Sequence, residues 1–87
     1  MMFVVMAYDI GEKRVAKALK TAKKYLDPVQ NSLFHGFLTN KQLTRLKQDF
    51  SAFILPEEDK VIIYKTFDSS VLQTEEIGTP SPNTNIL

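Results

Sequence analysis

Residues 2–9, "MFVVMAYD", constrain this chain more than any other stretch. They form a short continuous apolar run of β-branched and aromatic residues, closed by Asp9 and bounded by Gly11. A run of that kind reads as a buried strand. The next stretch has the opposite character. Lys13, Arg14, Lys17, Lys20, Lys23 and Lys24 hold six of the eleven positive charges, with no acid among them. Between them Val15, Ala18, Leu19, Ala22 and Tyr25 or Leu26 recur at helical spacing, which predicts an amphipathic helix from Glu12 to Tyr25. Glu12 suits the positive N-terminal end of that helix.

Asp27-Pro28 marks the way out of the helix, because proline cannot continue it. "VQNSLFHGFL", residues 29–38, reads as extended, and Gly36 inside it suggests a bulge or a bend. Thr39 has the character of an N-cap, with Gln42 three residues on completing a capping box. The second helix is predicted to run to about Phe53, with Leu43, Leu46, Phe50 and Phe53 inward and Pro56 beyond its end. After the acidic turn "PEEDK" comes "VIIYKTF", the clearest strand in the chain, and Val71 to Ile77 could add one more. Residues 78–87 read as a disordered tail, leaving residues 1–77 as a single domain.

That order predicts an α+β fold: helices on one face of a mostly antiparallel sheet, best matched by a ferredoxin-like βαββαβ sandwich with an extra C-terminal strand. The plait wants two strands between its helices, and residues 29–38 must supply both. A long strand kinked near Phe34 to Gly36 is therefore expected. A chain of 87 residues gains stability by burying a face against a copy of itself, so a homodimer is expected too.

Several chemistries are excluded by what is missing. Without cysteine there are no disulfides, thiolate metal sites or cysteine nucleophiles, and with a single histidine a structural zinc site is effectively excluded. P-loop, G-x-G-x-x-G and nucleophile-elbow patterns are absent. The first strand lacks a basic flank and meets Asp9 too early for a signal peptide, and no apolar stretch approaches bilayer length. A soluble cytoplasmic protein without a membrane partner is expected. The formal net charge of +1 hides a strong split. Residues 1–47 carry nine Lys/Arg against three Asp/Glu, and residues 48–87 carry two against seven. The asymmetry suggests one basic face, although strands and helices that merely differ in their solubilising charges would produce it as well.

Among candidate site residues, Asp9 is the most suggestive acid. A carboxylate at the carboxyl end of a strand sits on a rigid support beside an exposed loop, and can bind Mg²⁺ or Mn²⁺ with water completing the shell. One carboxylate is a poor site, and two brought together by a dimer axis would be a better one. The commoner reading of an aspartate at that place is a helix cap. Lys13, Lys17, Lys20 and Lys24 share one helical face at i, i+4, i+7, i+11, a stripe that suits a phosphate backbone. Ser32 and Phe34 alternate on one face of the middle strand; the serine lacks an activating partner and fits a phosphate or interface contact better than a nucleophile. His35 falls on the opposite face and reads as a surface residue. Tyr8, preceding Asp9, should point to the other side of the sheet, and Tyr64 and the phenylalanines read as core rather than as stacking platforms.

Taken in order, "VVMAYDI", Arg14, "VQNSLFHGFL" and "PEEDKVIIYKTF" resemble the small CRISPR-associated protein Cas2 family, over about Phe3 to Phe67 and with "EEIG" near the end also fitting. The resemblance implies a ferredoxin-like homodimer whose C-terminal strand pairs with the partner's sheet, and Asp9 as the metal-binding aspartate facing its symmetry mate. It implies a metal-dependent endonuclease on single-stranded RNA or double-stranded DNA, and a dimer that bridges subunits of the CRISPR integrase during spacer acquisition. Arg14, Ser32 and Phe34 match positions that the family associates with the nucleic-acid site. Two positions depart from the family: Pro28 stands where arginine is frequent, and His35 where glutamate is frequent. Both bear on cleavage more than on fold or dimer. A structural adaptor without catalysis and a toxin-like ribonuclease of the same plait are the competing expectations.

Overall fold

The chain runs through β1 (Met2–Asp9), α1 (Val15–Ala22), β2 (Asp27–Gln30), β3 (Leu33–Leu38), α2 (Asn40–Ser51) and β4 (Lys60–Thr66). These elements come from a computed structural model that describes residues 1–67 together with Glu75 and Ile77. The four strands form one antiparallel sheet in the order β2-β3-β1-β4. That is the strand order of a ferredoxin-like plait, as the sequence predicts. The unbroken apolar run of β1 follows from its place between β3 and β4. Met2, Val4, Met6 and Tyr8 meet Ala18 and Ala22 of α1 and Leu43, Leu46 and Phe50 of α2 in the core. Phe3, Val5, Ala7 and Asp9 alternate onto the face away from the helices.

The segment between the helices departs from expectation. It is a hairpin rather than a kinked strand, and the chain reverses at Asn31–Ser32 rather than at Phe34–Gly36. Ser32 takes φ 56°, the left-handed conformation a tight turn requires, without a glycine to announce it. Gly36 serves closeness instead of bending. A Cβ there would meet Leu26 Cδ2 at 3.0 Å, where the exit of α1 crosses the sheet. A register shift between Pro28 and Gln30 fits a strand whose proline cannot donate to the ladder.

Both helices are local consequences of sequence. Thr39 Oγ1 accepts from Gln42 N at 3.1 Å and Gln42 Oε1 accepts from Thr39 N at 2.9 Å, the capping box expected there. Helix α1 is shorter than its periodicity suggests. It begins at Val15, and its N-cap, Arg14, makes no side-chain cap bond. Except for Glu75 and Ile77, the strand expected at Val71–Ile77 lies outside the described residues, as does the whole tail at 78–87.

Candidate metal and nucleic-acid site

Asp9 is the last residue of β1 and pairs in register with Lys60, the first of β4. Its neighbour Tyr8 donates its backbone N–H to Ser32 O at 3.1 Å, so the β2–β3 turn closes on the same end of the sheet. Asp9 is exposed, and among the described residues its carboxylate has no hydrogen-bond or ion-pair partner. It caps nothing, since α1 starts six residues later at a helix N-cap formed by Arg14. The helix-cap alternative therefore falls away.

Beside Asp9 lies a polar cluster that the sequence does not announce. The Asp59 side chain is 0% exposed and receives four donors. Oδ1 accepts from Gly11 N at 2.8 Å and Arg14 Nη2 at 2.9 Å; Oδ2 accepts from Arg14 Nε at 2.6 Å and Leu55 N at 2.9 Å. The Arg14 fork, with the Gly11 and Leu55 amides, holds the Asp59 carboxyl well below the ordinary carboxylate range. Glu58 adds a longer contact to Arg14 Nη2 at 3.7 Å. Gly11 stands close against the fork: a Cβ there would lie 2.5 Å from Arg14 Nη2, so the guanidinium would have to shift. The partners are 45 residues apart in sequence, which is why "PEEDK" looked like nothing more than an acidic turn.

The remaining predicted residues are divided by the fold. Lys13, Lys17, Lys20 and Lys24 are exposed on or beside α1. Lys17 Nζ stands 5.4 Å from the Phe53 ring centroid and Lys24 Nζ 4.0 Å from Asp49 Oδ2, so this stripe lies along the border with α2. Asp9 points to the opposite face of the sheet. Ser32 is brought to the Asp9 end, but through the turn, with its hydroxyl donating to Asn31 O at 2.7 Å. Phe34 does not lie at the surface. It is 0% exposed and stacks on Tyr8, centroids 5.6 Å apart at 25°, leaving no ring face for a base. His35 is also buried, against the surface position expected: among the described residues Nδ1 has no partner, and burial pushes its pKa below the ordinary 6.5 against the pull of Asp27. Conversely Tyr64, expected in the core, is 62% exposed, and Phe37 is 54% exposed. By strand alternation both share the far face with Asp9.

An exposed, unpaired carboxylate is a hard oxygen donor, of the kind that suits Mg²⁺ or Mn²⁺ retaining several waters. One donor is not a cage. Among the described residues no group of three or more His, Cys, Asp or Glu is placed to hold a metal. The residues fit such an ion only if a second copy contributes its own Asp9. No helix among the described residues is long and apolar enough to cross a membrane.

Comparison with known proteins agrees with the architecture. The family described as CRISPR associated protein Cas2 matches residues 2–74. The "CRISPR-associated endoribonuclease Cas2" of Methanosarcina acetivorans is 36% identical over 97% of this chain and 97% of the relative. The protein of the same name from Thermotoga maritima is 44% identical over 88% of each. A solved structure described as "Crystal structure of cas2" superposes with a TM-score of 0.85 at 30% identity, covering 99% of this chain and 97% of the other.

Proposed function

The chain belongs to the CRISPR-associated protein Cas2 family, and from that premise we propose that it is a homodimeric, nucleic-acid-binding protein of CRISPR adaptation with metal-dependent endonuclease activity. The observation that carries the reading is Asp9: exposed, without a partner among the described residues, and standing at the end of a strand whose far face is otherwise apolar. That face supports the dimer. Phe37 and Tyr64 are large and exposed on it, and covering it with a second copy would bring two Asp9 carboxylates towards one axis.

In this reading the Asp9 carboxylates of the two copies would hold a Mg²⁺ or Mn²⁺ ion. Such an ion supplies electrophilic polarisation of a phosphodiester and a more acidic bound water. The protein supplies the rest. The β1/β4 ladder holds the Asp9 backbone, the turn at Ser32 borders the same end, and the lysines of α1 hold phosphate by charge. RNA is the first substrate to test, because the relatives are named endoribonucleases.

The test is cleavage of single-stranded RNA and duplex DNA by native protein and Asp9→Asn, with Mg²⁺ and with chelator. Native cleavage that needs Mg²⁺ and vanishes in the variant, with dimer and binding intact, is expected. A variant that cuts as well as the native protein overturns the mechanism. A second reading has its own observation. The lysine stripe and Asp9 lie on opposite faces of the sheet, which suits an adaptor that carries DNA between integrase subunits without cutting it. It predicts spacer integration that survives Asp9→Asn and fails when the stripe is charge-reversed.

A further inference from the structure

We infer that Asp59 is a positioning residue for Asp9, and that Arg14 serves the site through Asp59 rather than by touching substrate phosphate. The inference rests on the reading of Asp9 as the metal aspartate and deepens it. Three observations carry it. The Asp59 carboxylate is fully enclosed and its acceptor positions are taken by four donors from three segments: the β1–α1 loop, the start of α1 and the α2–β4 loop. Its geometry with Arg14 is the bidentate fork, which fixes direction as well as distance. Asp59 also precedes Lys60, the residue in register with Asp9, while its bond to Gly11 N grips the chain two residues after Asp9. The end of β1 is thus held on one side by the β4 ladder and on the other by this clamp.

The arrangement leaves Arg14 little to offer a phosphate. Nε and Nη2 are committed to Asp59, and the side chain is 19% exposed. A phosphate ligand would have to compete with a buried carboxylate already in place. The crowding at Gly11 points the same way. The loop approaches the guanidinium so closely that a Cβ at Gly11 would push Arg14 Nη2 from its place, as expected of a clamp built around that cation. Displacement of a catalytic group by about 1 Å can cost roughly 10²-fold in rate, so a support of this kind matters even though it contacts no substrate.

The experiment compares native protein, Arg14→Gln, Arg14→Lys, Asp59→Asn and the Arg14→Gln/Asp59→Asn double variant. Three readouts are taken: kcat and KM for Mg²⁺-dependent RNA cleavage, RNA affinity against salt concentration, and Mn²⁺ affinity from paramagnetic broadening of the Asp9 amide. Arg14→Gln and Asp59→Asn are each expected to lower kcat by about 10²-fold with KM unchanged. Mn²⁺ affinity should fall about 10-fold or more. The double variant should be no worse than the poorer single one, since both break one clamp. Arg14→Lys, with charge but no fork, should fall between native and Arg14→Gln. The salt dependence of RNA binding should not change in any of them.

A salt slope shallower by about 0.7 in Arg14→Gln, the signature of one lost single-strand phosphate contact, would overturn the inference. Losses that multiply in the double variant would do the same. If Asp59→Asn does not fold, Arg14→Gln and Arg14→Lys still decide the matter, because both leave Asp59 its two backbone donors. If the native protein cleaves nothing, the nuclease reading fails. The clamp then stands or falls on Mn²⁺ affinity and the salt slope alone.

Discussion

Phe34 offers the sharpest test of the geometry, because family resemblance places it at the nucleic-acid site and the structure places it in the core. Its side chain is fully buried and stacked on Tyr8. Truncating a buried phenylalanine costs about 3–5 kcal/mol from lost transfer energy and the cavity left behind. Losing the stacked pair with Tyr8 falls within that figure, since aromatic pairs contribute about 0.5–1.5 kcal/mol. Small domains hold about 5–15 kcal/mol in all, so Phe34→Ala should leave the fold marginal. At roughly 4–8 °C per kcal/mol, Tm should fall by more than about 12 °C. Phe34→Leu keeps most of the volume and should cost about 1–2 kcal/mol. Thermal unfolding at one fixed protein concentration gives the stability, since Tm would depend on concentration for the dimer proposed above. RNA and DNA affinity are then measured well below the Tm of each variant. Phe34→Leu should bind nucleic acid as the native protein does, with the same salt slope. A folded Phe34→Leu with native Tm and affinity reduced tenfold would refute the core assignment, because only a residue that touches the ligand behaves so.

Two further outcomes follow from the same geometry. Lys13, Lys20 and Lys24 replaced singly by Gln should each make the salt slope of binding shallower by about 0.7 for single strands or 0.9 for duplex, without loss of Mg²⁺-dependent chemistry once RNA is saturating; an unchanged slope removes that lysine from the interface. His35 should make the fold weaken on mild acidification. Burial places its folded pKa below the ordinary 6.5, so below that pH the unfolded chain takes up a proton that the folded chain resists, and stability declines as pH falls. Denaturant unfolding between pH 7.5 and 5.5 should show this slope in the native protein and lose it in His35→Phe, which keeps the volume and removes the proton site; an equal slope in both would refute it.

Much of the architecture was legible because it depends on short-range pattern. The β1 run, the Thr39–Gln42 capping box and the β4 run are each readable within a few residues, and each stands where its pattern predicts. The hairpin was not, because its turn uses Ser32 at positive φ where glycine would have been the signal, while Gly36 owes its place to Leu26 on another element. Phe34 is core, as its residue type suggests, while His35 is buried rather than at the surface because the reversal at Asn31–Ser32 makes β3 an inner strand, paired with both β1 and β2. Asp9 was visible as a strand-end carboxylate. Its support was not, because an arginine and an aspartate far apart in sequence carry no joint pattern until the fold closes the loop between them.

The fold also separates two tasks that the sequence runs together in one basic-after-acidic stretch. Asp9 and the lysines are neighbours along the chain, yet strand alternation sends Asp9 to the face away from the helices while α1 carries its stripe along the border with α2. Under the function proposed above, a nucleic acid lying along that stripe would be held by charge on the helical layer, and only a strand led round the end of β1 would reach Asp9. Grip and cutting are therefore separable by mutation, and loss of one should not entail loss of the other. What joins them is the loop between, residues 10–14, where Asp59 grips Gly11 and Arg14. A change in that short loop should loosen the support of the carboxylate and leave the lysines of the stripe, with their salt-dependent grip, in place.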